Sequence, residues 1–196
     1  MNQVDGFCAE GLEAASELLA DAAARAKLHL RPETITRTAA RRLKASLAFA
    51  ERLIRRLLVL LALEVELAPA AAPAPQDQET RTRLRAPRGF QYLPAERAPS
   101  GFLDPWADRP ESQARNHLGI VPLLYRWKTL MALLEDPERA ARHMARRLRA
   151  SRKAGELAPF CWPEDKLYRQ PARVALVAGA LPDLLNPALK AWFNSS

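Results

Sequence analysis

Apolar residues recur every three or four positions in two long segments of the chain, which is the period of a buried helix face. In the segment 32–67 the apolar spacing is 4, 3, 4, 3 and 4, a heptad pattern. Pro32 suits the first turn of a helix and Pro69 prevents its continuation, so we predict one long helix over 32–67. We call its apolar positions the heptad seam: Leu43, Leu47, Ala50, Ile54, Leu57 and Leu61.

A second segment with the same period predicts a helix over 118–134, where apolar residues are spaced 4, 3, 4 and 3 from Ile120 to Leu134. This helix is the expected partner of the heptad seam. An Ala-rich segment over 9–29, with acidic residues at its start and Arg25 near its end, predicts a further helix whose charge order complements the helix dipole. The sequence therefore predicts an all-α fold, a small helical bundle built on the long central helix.

Prolines separate the two helical parts of the chain. Eight of the 16 prolines lie within 69–116, where they interrupt any helix, and we predict a Pro-rich irregular strap there. The N-terminal helices would then occupy 1–68 and the C-terminal basic helices 117–196. We expect these two parts to pack together as one domain.

The most informative pattern is a row of cations on one short helix. Asp136 suits its N-cap, Pro137 its first position and Gly155 its end, which predicts a helix over 137–154. Its basic residues recur every three or four positions and so share one side of the helix. We call them the cationic face: Arg139, Arg142, Arg146, Arg149 and Lys153. Such a face suits an anionic partner, although a simply solvated face has the same pattern.

Net charge supports an acidic partner only in part. The chain carries +8, but 24 of its 30 cations are Arg, and an Ala-, Pro- and Arg-rich composition is also what a GC-rich genome encodes. Counting charged residues gives −3 for 1–30, +4 for 31–68, +1 for 69–116 and +6 for 117–196. The acidic N-terminal segment could therefore neutralise part of the basic surface within the molecule.

No pattern for catalysis or for a bound cofactor occurs in the chain. Cys8 and Cys161 are far apart, and His29, His117 and His143 form no metal-ligand spacing. Gly-rich phosphate-binding motifs are absent, so we expect no cofactor, no metal and no catalytic residues. The N-terminus lacks a signal-peptide pattern, and the apolar run Leu57–Leu63 is far shorter than the ~20 residues of a membrane span. These features predict a cytoplasmic protein.

Three functions remain open at this stage. The leading expectation is a non-enzymatic interaction protein that acts through protein–protein contacts, including contacts with a second copy through the heptad seam. The alternative is non-specific binding of nucleic-acid phosphates by the helix 137–154. The third is a peripheral membrane protein, with residues 53–67 or the C-terminal tail in the interface.

Overall fold

The computed structural model of the protein describes residues 3–30, 32–65 and 117–195. Five α-helices in these ranges pack against one another, which confirms the all-α helical bundle. They are α1 (Gln3–Arg25), α2 (Arg37–Glu64), α3 (Val121–Glu135), α4 (Pro137–Lys153) and α5 (Ala172–Asn194). Two short strands, β1 (Thr34–Thr36) and β2 (His117–Gly119), pair antiparallel, and 3₁₀ turns occupy Leu28–Leu30 and Leu167–Arg169. The predicted strap over 69–116 lies outside the described residues.

The central helix α2 begins at Arg37, five residues later than the pattern predicted. The intervening residues Thr34–Thr36 form β1, because β-branched side chains suit an extended chain and β2 supplies a pairing partner. Thr36 then caps α2, and its hydroxyl accepts a hydrogen bond from the Ala39 amide at 3.3 Å. Twelve residues of α2 are buried, so it forms the centre of the core.

The most extensive contact of α2 is with α1, whereas the pattern predicted α3 as its main partner. Small residues of α1 face the core, among them Gly11, where an added Cβ atom would lie only 2.7 Å from Leu57 Cδ2. The two helix axes can approach closely because this face has little side-chain volume. Helix α3 lies against both, and its Trp127 Nε1 donates to the Leu19 carbonyl at 3.2 Å.

Because Pro182 and Pro187 interrupt helices, the sequence predicts only one or two short helical turns over 183–193. Helix α5 instead runs unbroken through both prolines. Each proline removes one backbone hydrogen bond and costs about 3 kcal/mol in an isolated helix. The burial of an apolar face against the core offsets that cost. This face consists of Val174, Val177, Ala178, Leu181, Pro182, Leu185 and Leu189. Both α5 and α4 pack on α2, which joins the described C-terminal helices to the N-terminal ones.

A half-buried ion-pair network ties α3 to α2. The Glu51 carboxylate accepts from Arg55 at 2.9 Å and from Arg126 Nε at 2.9 Å. The side chains of Glu51 and Arg55 are only 17% and 16% exposed. Burial lowers the pKa of Arg55, while the charge of Glu51 acts in the opposite direction. The carboxylate therefore compensates two guanidinium groups that are partly withdrawn from water.

We expect Glu51→Gln to lower the free energy of unfolding by about 2 kcal/mol, because two partly buried cations would lose their counter-charge. For a domain of this size that is a fall in melting temperature of roughly 4–8 °C, measurable by calorimetry. Asp21→Asn is the matched control, since the Arg25–Asp21 pair is exposed and its loss should cost less than about 0.5 kcal/mol. Equal shifts for the two variants would contradict the structural role of Glu51.

Candidate anion-binding face

Helix α4 begins at the predicted residue and ends at Lys153, one residue before the predicted end, and side-chain and backbone contacts define both ends. Asp136 Oδ1 accepts a hydrogen bond from the Arg139 amide at 3.0 Å, and Pro137 takes the first helical position. At the other end Gly155 has a φ of +71°, and its amide donates to the Arg152 carbonyl at 3.0 Å. The next amide, that of Glu156, donates to the Ser151 carbonyl at 3.1 Å, which completes a Schellman motif.

The two faces of α4 differ completely in chemistry. The face packed on the core is made of small and apolar residues: Ala140, Ala141, Met144, Ala145, Leu148 and Ser151. All five residues of the cationic face are exposed on the other side. Arg147, which the regular spacing left out, is exposed as well and widens the positive surface. The burial of Met144 and Leu148 holds the helix in place, so the cations are presented on a rigid element.

Helix α4 accounts for most of the charge of the protein. It has seven cations and one acid, Glu138, and therefore carries +6 of the net +8. In the described part of the chain we find no ion pair to five of these cations. They are Arg139, Arg142, Arg146, Arg147 and Lys153. Six other arginines do pair with described carboxylates: Arg25, Arg52, Arg55, Arg56, Arg126 and Arg173.

The acidic helix α1 does not neutralise α4, although its charge suggested that it could. Glu13 and Glu17 accept from Arg173 of α5 at 2.8 and 2.7 Å. Asp21 pairs with Arg25 on α1 itself. Three acids of α1 are thus matched to cations of α1 and α5, and the surface of α4 stays strongly positive.

The heptad seam lies inside the protein. Leu47, Ala50, Ile54 and Leu57 are 0% exposed, Leu43 is 2% exposed, and Leu61 is partly buried against the same core. Helices α1, α4 and α5 cover the α2 surface in the same chain. The seam is therefore used for packing within the chain, and of its apolar side chains only Leu61 keeps some exposed surface.

The segments considered for membrane contact are also used largely in packing. Leu53, Leu58 and Leu60 are buried, and the described part of 53–67 ends at Val65. Helix α5 is long and apolar enough to cross a membrane by length and composition alone, and part of its surface is buried in the bundle. Its buried face is the one that packs on the core.

A fixed loop between α4 and α5 exposes two aromatic rings that the sequence analysis did not single out as a surface. Phe160 and Trp162 are 60% and 71% exposed, and their rings meet edge to face at 4.8 Å. Between them, the Cys161 amide donates to Asn186 Oδ1 at 2.8 Å, and the Trp162 carbonyl accepts from Arg56 at 2.9 Å. The exposed rings are thus held by hydrogen bonds to α5 and α2, a link that no local pattern reveals.

The two thiols are poorly suited to nucleophilic chemistry. Burial, together with the nearby carboxylates of Glu64 and Asp5, raises the pKa of Cys8 to about 12. Burial also raises the pKa of Cys161. Across the described residues no three His, Cys, Asp or Glu side chains come close enough together to hold a metal ion.

Comparisons with known proteins add no functional information. No protein-family model matches the chain, and neither a curated protein nor a solved structure is detectably similar to it. The function must therefore be argued from the geometry and charge of the molecule.

Proposed function

We propose that the protein binds nucleic acid through contacts between the cationic face of α4 and backbone phosphates. The observation that carries this proposal is the concentration of +6 on one exposed, rigid helix, most of whose cations have no carboxylate partner among the described residues. Phosphate groups satisfy both the charge and the hydrogen-bond donors of guanidinium groups, often in bidentate pairs. We place it ahead of protein–protein contacts, the leading expectation from the sequence, because the heptad seam that would have joined two copies is buried in the core.

The spacing of the cations suits an extended polyanion. From Arg139 to Lys153 the helix rises about 21 Å, at 1.5 Å per residue. Measured along the axis of a B-form duplex, this length corresponds to roughly six phosphates of one strand. A row of cations on successive turns can therefore contact several phosphates of an extended polyanion without any change in the fold.

An acidic protein or a membrane surface fits α4 less well. Protein interfaces depend on buried anchors such as Trp, Tyr, Met or Leu, and the exposed side of α4 offers only charged residues, His143 and Ala150. An interfacial helix must insert an apolar face into the lipid, but the apolar residues of α4, such as Met144 and Leu148, are packed on the core. Binding to an acidic protein and binding to a membrane are therefore measured alongside nucleic-acid binding in the experiment below.

Binding by this surface should be largely independent of sequence. Asn and Gln, which read the edge of adenine in the major groove, are absent from the exposed side of α4. Arg can contact guanine, but a row of Arg side chains offers only hydrogen-bond donors, whereas sequence-specific recognition of base edges uses both donors and acceptors. Phosphate contacts position a protein on nucleic acid without carrying sequence information.

The test is the affinity of the full chain for fluorescently labelled DNA or RNA, measured by anisotropy at about 50 and 200 mM salt. If the five residues of the cationic face each displace one counterion, the affinity should fall by roughly 100- to 500-fold over that range. Polyglutamate and anionic lipid vesicles are measured in parallel. Absence of nucleic-acid binding at low salt would contradict the proposal. An affinity for polyglutamate or for the vesicles equal to that for nucleic acid would also contradict it.

A further inference from the structure

The cationic face ends in a cavity that also has an aromatic wall. The cavity has a volume of about 600 Å³ and lies where the C-terminal ends of α4 and α5 meet. Arg149, Lys153 and Gly155 line one side, and Trp192 and Phe193 line the other. The cavity is open to solvent, and its volume is within the range of small-molecule sites, about 300–1,000 Å³.

The aromatic wall is held in place by its neighbours. The guanidinium of Arg152 lies over the Trp192 ring, 5.0 Å from its centroid, and it donates a hydrogen bond to the Ser195 carbonyl. The Trp192 and Phe193 rings meet edge to face, with centroids 5.1 Å apart and an angle of 68° between them. Both rings are only partly buried, so the wall combines a defined orientation with access from the cavity.

The charge of the cavity also favours an anion. Three cations line it, Arg149, Arg152 and Lys153, against one acid, Glu156. The Glu156 carboxylate accepts a hydrogen bond from Ser151, so part of its charge is engaged within the chain. The partial negative charges at the ends of two helices are smaller than one unit each and do not reverse this balance.

The cavity and the cationic face are one continuous surface, because Arg149 and Lys153 belong to both. A backbone that follows α4 towards its C-terminal end therefore arrives beside Trp192. In a duplex the bases are stacked inside and cannot reach such a wall, whereas the bases of a single strand can turn outward and stack on an aromatic ring.

We propose that this cavity takes an unstacked base of single-stranded nucleic acid, which stacks on Trp192 in place of the Arg152 guanidinium while the flanking phosphates contact Arg149 and Lys153. The inference rests on the proposed function and names its substrate class, single strands in preference to duplexes. Base stacking on an aromatic side chain is tolerant of base identity, which agrees with a surface that does not read sequence.

The experiment compares a labelled single strand with a duplex of equal length, using wild-type protein and the variants Trp192→Leu and Trp192→Phe. Loss of one stacked base should lower the affinity of Trp192→Leu for the single strand by about 5- to 150-fold. Its affinity for the duplex should stay within about twofold of wild type. Trp192→Phe keeps a ring and should retain most of the single-strand affinity. A melting curve of each variant shows whether the fold is retained.

Three results would overturn the inference. They are unchanged single-strand affinity in Trp192→Leu, equal losses of affinity for strand and duplex in a folded variant, or equal losses in Trp192→Leu and Trp192→Phe.

If Trp192→Leu does not fold, the test uses wild-type protein and a strand in which abasic sites replace the bases. Wild-type protein should bind this abasic strand more weakly than the normal strand, by a similar factor. Wild-type binding to duplex and strand with equal affinity would contradict the inference alone. Binding to neither would contradict the proposed function as well.

Discussion

Leu47→Asp combined with Ile54→Asp is expected to unfold the protein. Both side chains are 0% exposed at the centre of the bundle, where α2 is covered by helices of the same chain. Truncating one such residue to Ala alone costs about 2–5 kcal/mol, and a buried, unpaired carboxylate costs more. Lost packing at the two positions costs about 4–10 kcal/mol, and the two buried carboxylates add to that cost, whereas a typical domain is stable by only about 5–15 kcal/mol. Circular dichroism should show loss of helix and no cooperative melting transition.

Thr38→Asp combined with Ala45→Asp is the matched control. These residues have the same seven-residue spacing on the same helix, and the change in net charge is the same, but both positions are exposed. The control should stay folded and melt within a few degrees of wild type, because exposed substitutions usually change stability by less than about 0.5 kcal/mol each.

The opposite outcome would revive self-association through the heptad seam. If the Leu47 and Ile54 double variant stays folded as a monomer and wild type is a dimer by light scattering, the seam pairs two copies. The structure predicts the reverse, because residues of the seam are already in contact with α1, α4 and α5. A seam of this kind has the same sequence pattern whether it is covered by another chain or by its own.

Local signals predict the parts of this fold that depend on residues near one another in the chain. The bounds of α4 follow from Asp136, Pro137 and Gly155, because helix caps and the backbone conformations that end a helix depend on a few adjacent residues. The burial of the heptad seam follows from its period. The exposure of the cationic face follows from the cost of burying five cations.

The features that could not be predicted depend on residues distant in sequence. The strand pair needs Ile35 to meet Leu118, and neither three-residue segment is a recognisable strand by itself. The close approach of α1 depends on Gly11 facing Leu57. The continuity of α5 depends on tertiary packing that outweighs the preference of Pro182 and Pro187 to end a helix.

The candidate cavity also depends on residues that are distant in sequence. Lys153 and Trp192 are 39 positions apart, and only the packing of α4 and α5 on a common core places them beside one cavity. Sequence spacing identified the cations but contained no information about the aromatic wall. The spacing of the cations therefore indicates a polyanion but does not distinguish a duplex from a single strand.

Arg142→Glu combined with Arg146→Glu is expected to lower the affinity for nucleic acid on the order of 100-fold at about 50 mM salt. Two phosphate contacts are lost and two repulsive charges take their place in the middle of the cationic face. The salt dependence should weaken at the same time, with the slope of log affinity against log salt smaller by about 2 for a duplex. The melting temperature should not fall, because both residues are exposed and make no ion pair in the described part of the chain.

Arg25→Glu combined with Lys27→Glu separates a local effect of α4 from a general effect of charge. Both double variants change the formal net charge from +8 to +4, because each substitution replaces one positive charge with one negative charge. Arg25 and Lys27 are exposed at the end of α1, a helix that packs mainly on α2, α3 and α5. The control should therefore lose much less affinity than the α4 variant. Equal losses would mean that net charge alone governs binding, and undiminished affinity in the α4 variant would exclude α4 as the nucleic-acid surface.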